Sequence, residues 1–374
     1  MAAITESHQT NTNSQEVKRV FTVNVSNVKA DKGGSSTQED FGFVTEICDE
    51  QGHKFFVIGV LDGHGQRGRE YSQEVGKVMQ KTVEIPGFCE AMMRDPQAAG
   101  ANLFQAGQDC AFELFKAILK ERDIHYTVDS QGQVLLDYGT DEAKGGTTAT
   151  LVFIGEDGSI ITMNAGDTDA WSITGSTQSK LTSDHQPTSS SEHERICRDF
   201  PESSRAISIF DRPHSTPPHP KGDLVFVNRG FGGYSVKNVD REPATYLQFM
   251  DERNAGLSHT SYKLAMTRSI GDFVMRRGGI ISEPSVSRVQ MENDTVVLIA
   301  TDGYWDNIIS KNIGVATNLI VTKHGLQHAN MIATEWFEDT EKAARRNFGS
   351  HRDNMLGYVI TLEKKRDEDD NDKV

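Results

Sequence analysis

The sequence predicts an α+β fold, with antiparallel sheets at the centre and helices packed outside them. Three observations carry this. Short apolar stretches at 20–25, 41–47, 55–61, 147–154, 159–165, 295–301 and 355–362 read as strands. Two long segments carry apolar residues at i, i+3, i+4, i+7 and i+8, the stripe of a half-buried helix. These strands and helices come in clusters rather than in β-α-β-α alternation, which disfavours a parallel sheet.

The first helical stripe consists of Ala111, Leu114, Phe115, Ile118 and Leu119, and the second of Ala329, Ile332, Ala333, Trp336 and Phe337. A third helix is expected to follow Arg67 and run to about Val83. The stretch 196–264 is rich in Pro, Gly, Ser and Arg, has weak periodicity, and reads as an irregular flap insertion near the functional face. Residues 1–18 are dominated by Ser, Thr, Asn and Gln and read as disordered. Residues 364–374 read as a charged, solvated tail, which leaves 19–363 as the folded domain.

Composition narrows the function. With 374 residues and 36% hydrophobic content, the chain can build one large domain with insertions. No apolar run approaches the ~18–20 residues of a membrane span, and residues 1–19 lack the layout of a signal peptide. A cytoplasmic protein, or a nuclear one, is the expectation, with no membrane partner. The four cysteines show no C-x-x-C spacing, so no zinc site is expected. A net charge of −15 argues against a nucleic-acid partner.

Acids gather where predicted strands end. The runs 55–61 and 295–301 stop at Asp62-Gly63 and Asp302-Gly303. Glu39-Asp40 precedes the strand at 41, Asp167 follows Asn164-Ala165-Gly166, and Asp353 stands just before the last strand. A lone Asp-Gly reads as a turn. Acids at this many strand ends exceed what turns require, and convergent carboxylates repel unless cations lie between them. Oxygen ligands select hard cations such as Mg²⁺ or Mn²⁺.

The segments Val60-Leu61-Asp62-Gly63-His64-Gly65, Gly145-Gly146-Thr147-Thr148-Ala149, Asn164-Ala165-Gly166-Asp167, Leu181-Thr182-Ser183-Asp184-His185, Thr267-Arg268-Ser269-Ile270-Gly271-Asp272, Glu283-Pro284, Ala300-Thr301-Asp302-Gly303-Tyr304-Trp305-Asp306 and Arg352-Asp353-Asn354-Met355 occur in this order. Together they resemble the type 2C metal-dependent protein serine/threonine phosphatases, the PPM family, over about 20–363. The resemblance implies a four-layer α-β-β-α sandwich with a dinuclear Mg²⁺ or Mn²⁺ site at one end. It implies that Asp62 bridges the metals, Gly63 offers its carbonyl, Asp302 and Asp353 hold the second ion, and Glu39 and Asp40 bind through waters. Asp167 matches the acid that helps hold a weaker third cation in some members, and His64 the residue proposed as general acid. Water held between two cations is a nucleophile near neutral pH, so hydrolysis of phosphoserine and phosphothreonine in proteins is expected, by a monomer.

Other readings are weaker. Gly63-His64-Gly65-Gln66-Arg67-Gly68 matches a dinucleotide-binding fingerprint, but Asp62 would face the pyrophosphate. Gly145-Gly146-Thr147-Thr148 reads as structural, His185 as a strand-end support, Asp272 as a turn or network residue and Asp306 as a helix N-cap. Relatives often carry a phosphate-gripping arginine four residues before Glu-Asp, where this chain has Ser35. Arg67 is the expected substitute. A silent phosphatase-fold scaffold is the alternative function; its signature, a lost metal acid, is absent from the sequence.

Overall fold

The computed structural model describes residues 20–35, 37–130, 133–137, 144–200, 206–210, 223–228, 234–236, 244–250, 261–308 and 312–365. The segment 1–18, expected to be disordered, lies outside them.

Two antiparallel sheets form the centre. One runs in the order Phe21–Val25, Met355–Lys364, Thr295–Ala300, Asp169–Thr174, Thr177–Lys180, with Lys29–Asp31 also paired to Met355–Lys364. The other runs Ser285–Gln290, Ser159–Ala165, Ala149–Gly155, Lys54–Leu61, Phe41–Cys48. Alternation along each strand divides its side chains between two apolar layers. Ile58, Val60, Val152 and Ile154 meet Val297, Ile299, Leu356 and Ile360 between the sheets. Val57, Leu61, Leu151 and Phe153 point the other way, into helices Gly68–Val83 and Pro96–Glu121. On the far side, Val296, Leu298 and Val359 pack against Ile313–His324 and Ala329–Phe348. The result is the expected α-β-β-α sandwich. Near-continuous apolar strands follow from burial on both faces.

Helix ends obey local chemistry. Asp95 caps Pro96–Glu121 by accepting the Ala98 N–H at 3.0 Å, with Pro96 in the first turn, where its missing N–H costs nothing. No helix among the described residues is long and apolar enough to cross a membrane.

The flap departs from its expected irregularity. It begins inside the helix Ser190–Asp199, and its described part holds an antiparallel sheet in the order Asp223–Leu224, Ile207–Phe210, Thr245–Met250, Ser261–Leu264. Leu247, Phe249, Tyr262 and Leu264 bury their side chains in the same apolar core as helices Gly68–Val83 and Pro96–Glu121. Short strands separated by Pro and Gly hide the period-2 signal. The expected tail also begins late. Lys364 ends a strand, the Lys365 N–H donates to the Val20 carbonyl at 2.8 Å, and 366–374 lie outside the described residues.

Candidate active site

Strand register brings the acids together. Phe41 pairs with Leu61, so Asp40, just before one strand, and Asp62, just after the other, emerge at the same sheet end. In the second sheet Ala300 pairs with both Gly357 and Asp169. That places Asp302 between the Asp353 loop and Asp167. Thr301 ties the sheets together: its hydroxyl donates to Asp40 Oδ2 at 3.1 Å and accepts the Leu356 N–H at 3.0 Å. The cleft at this end, of about 400 Å³, is lined by Glu39, Asp62, Gly63, His64, Asp302 and Asp353 among others.

Neither Asp-Gly is a hairpin turn. Gly63 opens the short strand Gly63–Gly65, which pairs with Gly145–Thr147. Asp302 opens the one-turn helix Asp302–Trp305. The glycines are needed for close approach: a Cβ on Gly63 would lie 2.2 Å from the Gly68 carbonyl oxygen, and one on Gly303 2.0 Å from that of Asn354. Gly145-Gly146-Thr147-Thr148 has the structural role read from the sequence. The Thr148 N–H and the Thr147 hydroxyl donate to the Asp62 carbonyl at 2.8 and 2.9 Å, and Thr148 Oγ1 accepts the Asp62 N–H at 3.0 Å.

The carboxyls crowd one another. Burial pushes Asp62 well above the ordinary carboxylate range, and the charges of Asp40, Asp302 and Asp353 push the same way. Asp40, only 4% exposed, is pushed to about 8 by burial, with Asp302 and Asp353 adding to it against the Thr301 hydrogen bond. Burial and Asp302 push Asp167 to about 8. Glu39 is raised by burial and Asp353, and Asp353 by burial and Asp302. Among the described residues no three His, Cys, Asp or Glu side chains already stand as a ligand set. The donor chemistry nevertheless fits hard cations. Asp40 Oδ1, Asp167 Oδ1 and Asp302 Oδ1 are buried acceptors with no hydrogen-bond partner, and a cation among them would relieve both desolvation and repulsion.

His64 is not isolated. Its Nε2 lies 2.7 Å from Asp272 Oδ2, which also accepts the Ser269 hydroxyl at 2.6 Å. Burial alone would lower the His64 pKa, but the Asp272 carboxylate raises it overall, and His64 in turn holds Asp272 below the ordinary range despite burial. Asp272 was expected to be a turn or network residue. It is both: its φ is +44°, and Gly271 before it, at φ +101°, crosses close to Gly146. Asp306 does not begin a helix; it follows the turn Asp302–Trp305. Desolvation and the charges of Asp302 and Asp353 raise it to about 6.

Arg67 takes no place in the cleft, contrary to expectation. Its guanidinium donates to Glu70 at 3.0 Å and to Glu121 at 2.7 Å, and Arg67 is not among the residues lining the cleft. Two carboxylates within reach of one fork hold it there. His185 is a support, as read from the sequence: it is 1% exposed, its Nδ1 accepts the Gly166 N–H at 3.2 Å, and its Nε2 meets Ser285 Oγ at 2.9 Å. Burial and Arg268 hold it neutral, with a pKa of about 3.

A double-sheet sandwich with carboxylates converging at one end defines the class, and comparison with known proteins agrees. The family description "Protein phosphatase 2C" matches residues 56–340, and the chain belongs to that family of protein phosphatases. It is 26% identical over 321 residues to "Probable protein phosphatase 2C 61" of Arabidopsis thaliana, covering 83% of this chain and 77% of the relative. It is 28% identical over 263 residues to "Probable protein phosphatase 2C 65" of the same plant, covering 68% of this chain and 56% of the relative. In three dimensions it resembles the crystal structure of serine-threonine phosphatase 2C from Toxoplasma gondii, with a TM-score of 0.54, 16% identity, and coverage of 92% and 95% of the two chains. That last likeness speaks for the fold alone.

Proposed function

We infer that the protein hydrolyses phosphoserine and phosphothreonine in protein substrates at a site holding two Mg²⁺ or Mn²⁺ ions, with room for a weaker third. The single observation that carries this is the set of buried oxygens without hydrogen-bond partners on Asp40, Asp167 and Asp302, which stand at strand ends of both sheets. Asp62, Asp302, Asp353 and the Gly63 carbonyl would hold the pair of cations, with Glu39 and Asp40 behind them and Asp167 toward a third. When bound, such cations lower the pKa of water to near neutrality and neutralise charge on phosphoryl oxygens.

The chain's own residues do the rest. The threonine clamp fixes the Asp62 backbone, so the point from which its carboxyl projects is set before binding. Asp272 holds the His64 ring in one orientation and favours its protonated form. A protonated His64 at the cleft wall can give its proton to the departing serine or threonine oxygen, an alkoxide that leaves poorly without one. Phosphate release from a phosphothreonine peptide, with and without Mn²⁺, tests this reading. Hydrolysis that survives thorough chelation would refute it.

A further inference from the structure

Thr301 uses its side chain in a way its place in the chain does not predict. It holds the cap position of the one-turn helix Asp302–Trp305, where a threonine hydroxyl ordinarily accepts a backbone N–H of the first turn. Among the described residues its hydroxyl makes no such bond. The residue is fully buried, and the hydroxyl oxygen accepts the Leu356 N–H from the neighbouring strand at 3.0 Å. One proton is then left to donate. The Leu356 carbonyl is the poorer acceptor for it, because it lies 3.5 Å away and already takes the Thr301 N–H at 3.0 Å. Asp40 Oδ2, at 3.1 Å, is the better one.

That hydrogen bond crosses between the sheets. Thr301 follows strand Thr295–Ala300 of one, and Asp40 precedes strand Phe41–Cys48 of the other, 261 residues earlier in the chain. It also sorts the two oxygens of the carboxylate. Oδ2 takes the Thr301 hydroxyl and, at 3.4 Å, the Gln38 amide, whereas Oδ1 is buried with no hydrogen-bond partner. A buried carboxylate held only for the stability of the fold gains most from donors on both oxygens. One gripped oxygen beside one bare oxygen is the arrangement of a ligand oriented by its neighbours. Burial, and then the charges of Asp302 and Asp353, raise the Asp40 pKa, which places this carboxylate within the acidic group at the sheet ends.

We propose that Thr301 is a positioning residue for the cation site: its hydroxyl turns the Asp40 carboxylate so that Oδ1 stays free for a divalent cation or a water bound to one, and it fixes Asp40 against Asp302, the next residue in the chain. The inference rests on the cation-site reading above. Asp302 comes from one sheet and Asp40 from the other, so their spacing depends on what joins the sheets at this end. The Thr301 hydroxyl is such a joint, and it acts on one of the acids directly. Without it Asp40 can rotate, and Oδ1 can turn toward whatever donors it finds. Shape alone cannot replace it, because a valine at this place fills the same space and donates nothing.

Calorimetric titration of the chelator-stripped protein with Mn²⁺, alongside thermal unfolding without metal, tests this. Thr301→Val should weaken Mn²⁺ binding by roughly 10- to 100-fold, the usual cost of losing a hydrogen bond that orients a metal ligand. Thr301→Ser keeps the hydroxyl and should bind Mn²⁺ as the wild type does. Val297→Ala opens a cavity between the sheets, in the strand that leads to Thr301, and should lower Tm without moving Mn²⁺ affinity. That control separates positioning from lost stability. If Thr301→Val does not fold, Thr301→Ala removes the same donor with less bulk and takes its place. A hydroxyl-free variant that loses Tm but binds Mn²⁺ like the wild type overturns the role of Thr301. Thr301→Ser binding as weakly as Thr301→Val also overturns it, because the methyl group and not the hydroxyl would then matter. A wild type that takes up no Mn²⁺ overturns the cation site itself, and the role of Thr301 falls with it.

Discussion

His64 and Asp272 are 208 residues apart in the chain and 2.7 Å apart in the fold. The carboxylate arrives from the turn after Ile270–Gly271, a short strand that pairs with Gly145–Thr147, which in turn pairs with the strand carrying His64. This three-strand corner raises the histidine's pKa against burial. If protonated His64 is the general acid, activity on a phosphothreonine peptide falls as pH rises through that pKa. Asp272→Asn removes the charge that raises it, so the limb should move to lower pH. An unmoved limb would detach the pair from catalysis.

His64→Gln should lower kcat on a phosphothreonine peptide by roughly 10²–10⁴-fold, the usual range for loss of a general acid. The loss should be smaller on p-nitrophenyl phosphate, whose phenolate leaves with little help. Equal losses on both substrates would give His64 a structural role.

Glu192 should matter for stability rather than chemistry. It is 3% exposed and accepts hydrogen bonds from Arg195, Arg268 and the Thr267 hydroxyl. Burial works against its charge, but Arg268 and Arg195 bring the pKa down to about 2 from an ordinary 4.5. A depressed folded-state pKa means that the stabilisation is present above pH 4.5 and is lost as pH falls from there toward 2. That shift corresponds to about 3 kcal/mol. Glu192→Gln removes the charge that pairs with buried Arg195 and partly buried Arg268, and should cost about 3–5 kcal/mol in urea unfolding near pH 7. The deficit should shrink at pH 3, and a constant deficit would contradict the linkage.

Arg67→Ala should leave KM for small phosphate esters within about twofold of wild type and cost no more than about 1 kcal/mol, as loss of a partly exposed ion pair does. A large rise in KM would return Arg67 to the substrate site.

The parts of the fold legible in the sequence are those with unbroken local patterns. The run 159–165 forms the strand Ser159–Ala165, and the stripe through Trp336 forms Ala329–Phe348. Ser285–Gln290 was not legible, because an edge strand with one partner buries its side chains only partly and shows no apolar run. Ile313–His324 was hidden because Val315 and Leu319 face outward, 56% and 67% exposed, which blurs the stripe. In the site, strand-end acids were visible because apolar runs stop at them. The fate of Arg67 depends on Glu121, 54 residues away, and the partner of His64 comes from another corner, so no local pattern announces either.

The central claim is that these carboxyls hold divalent cations that drive phosphate-ester hydrolysis. Calorimetric titration of the chelator-stripped protein with Mn²⁺, followed by phosphate release from a phosphothreonine peptide in the same samples, tests it most directly. Wild type should bind Mn²⁺ and gain activity in step with occupancy. Asp302→Asn, folded by circular dichroism, should bind more weakly and lose most turnover. Activity without Mn²⁺ binding, or unaltered binding and turnover in Asp302→Asn, would contradict the account.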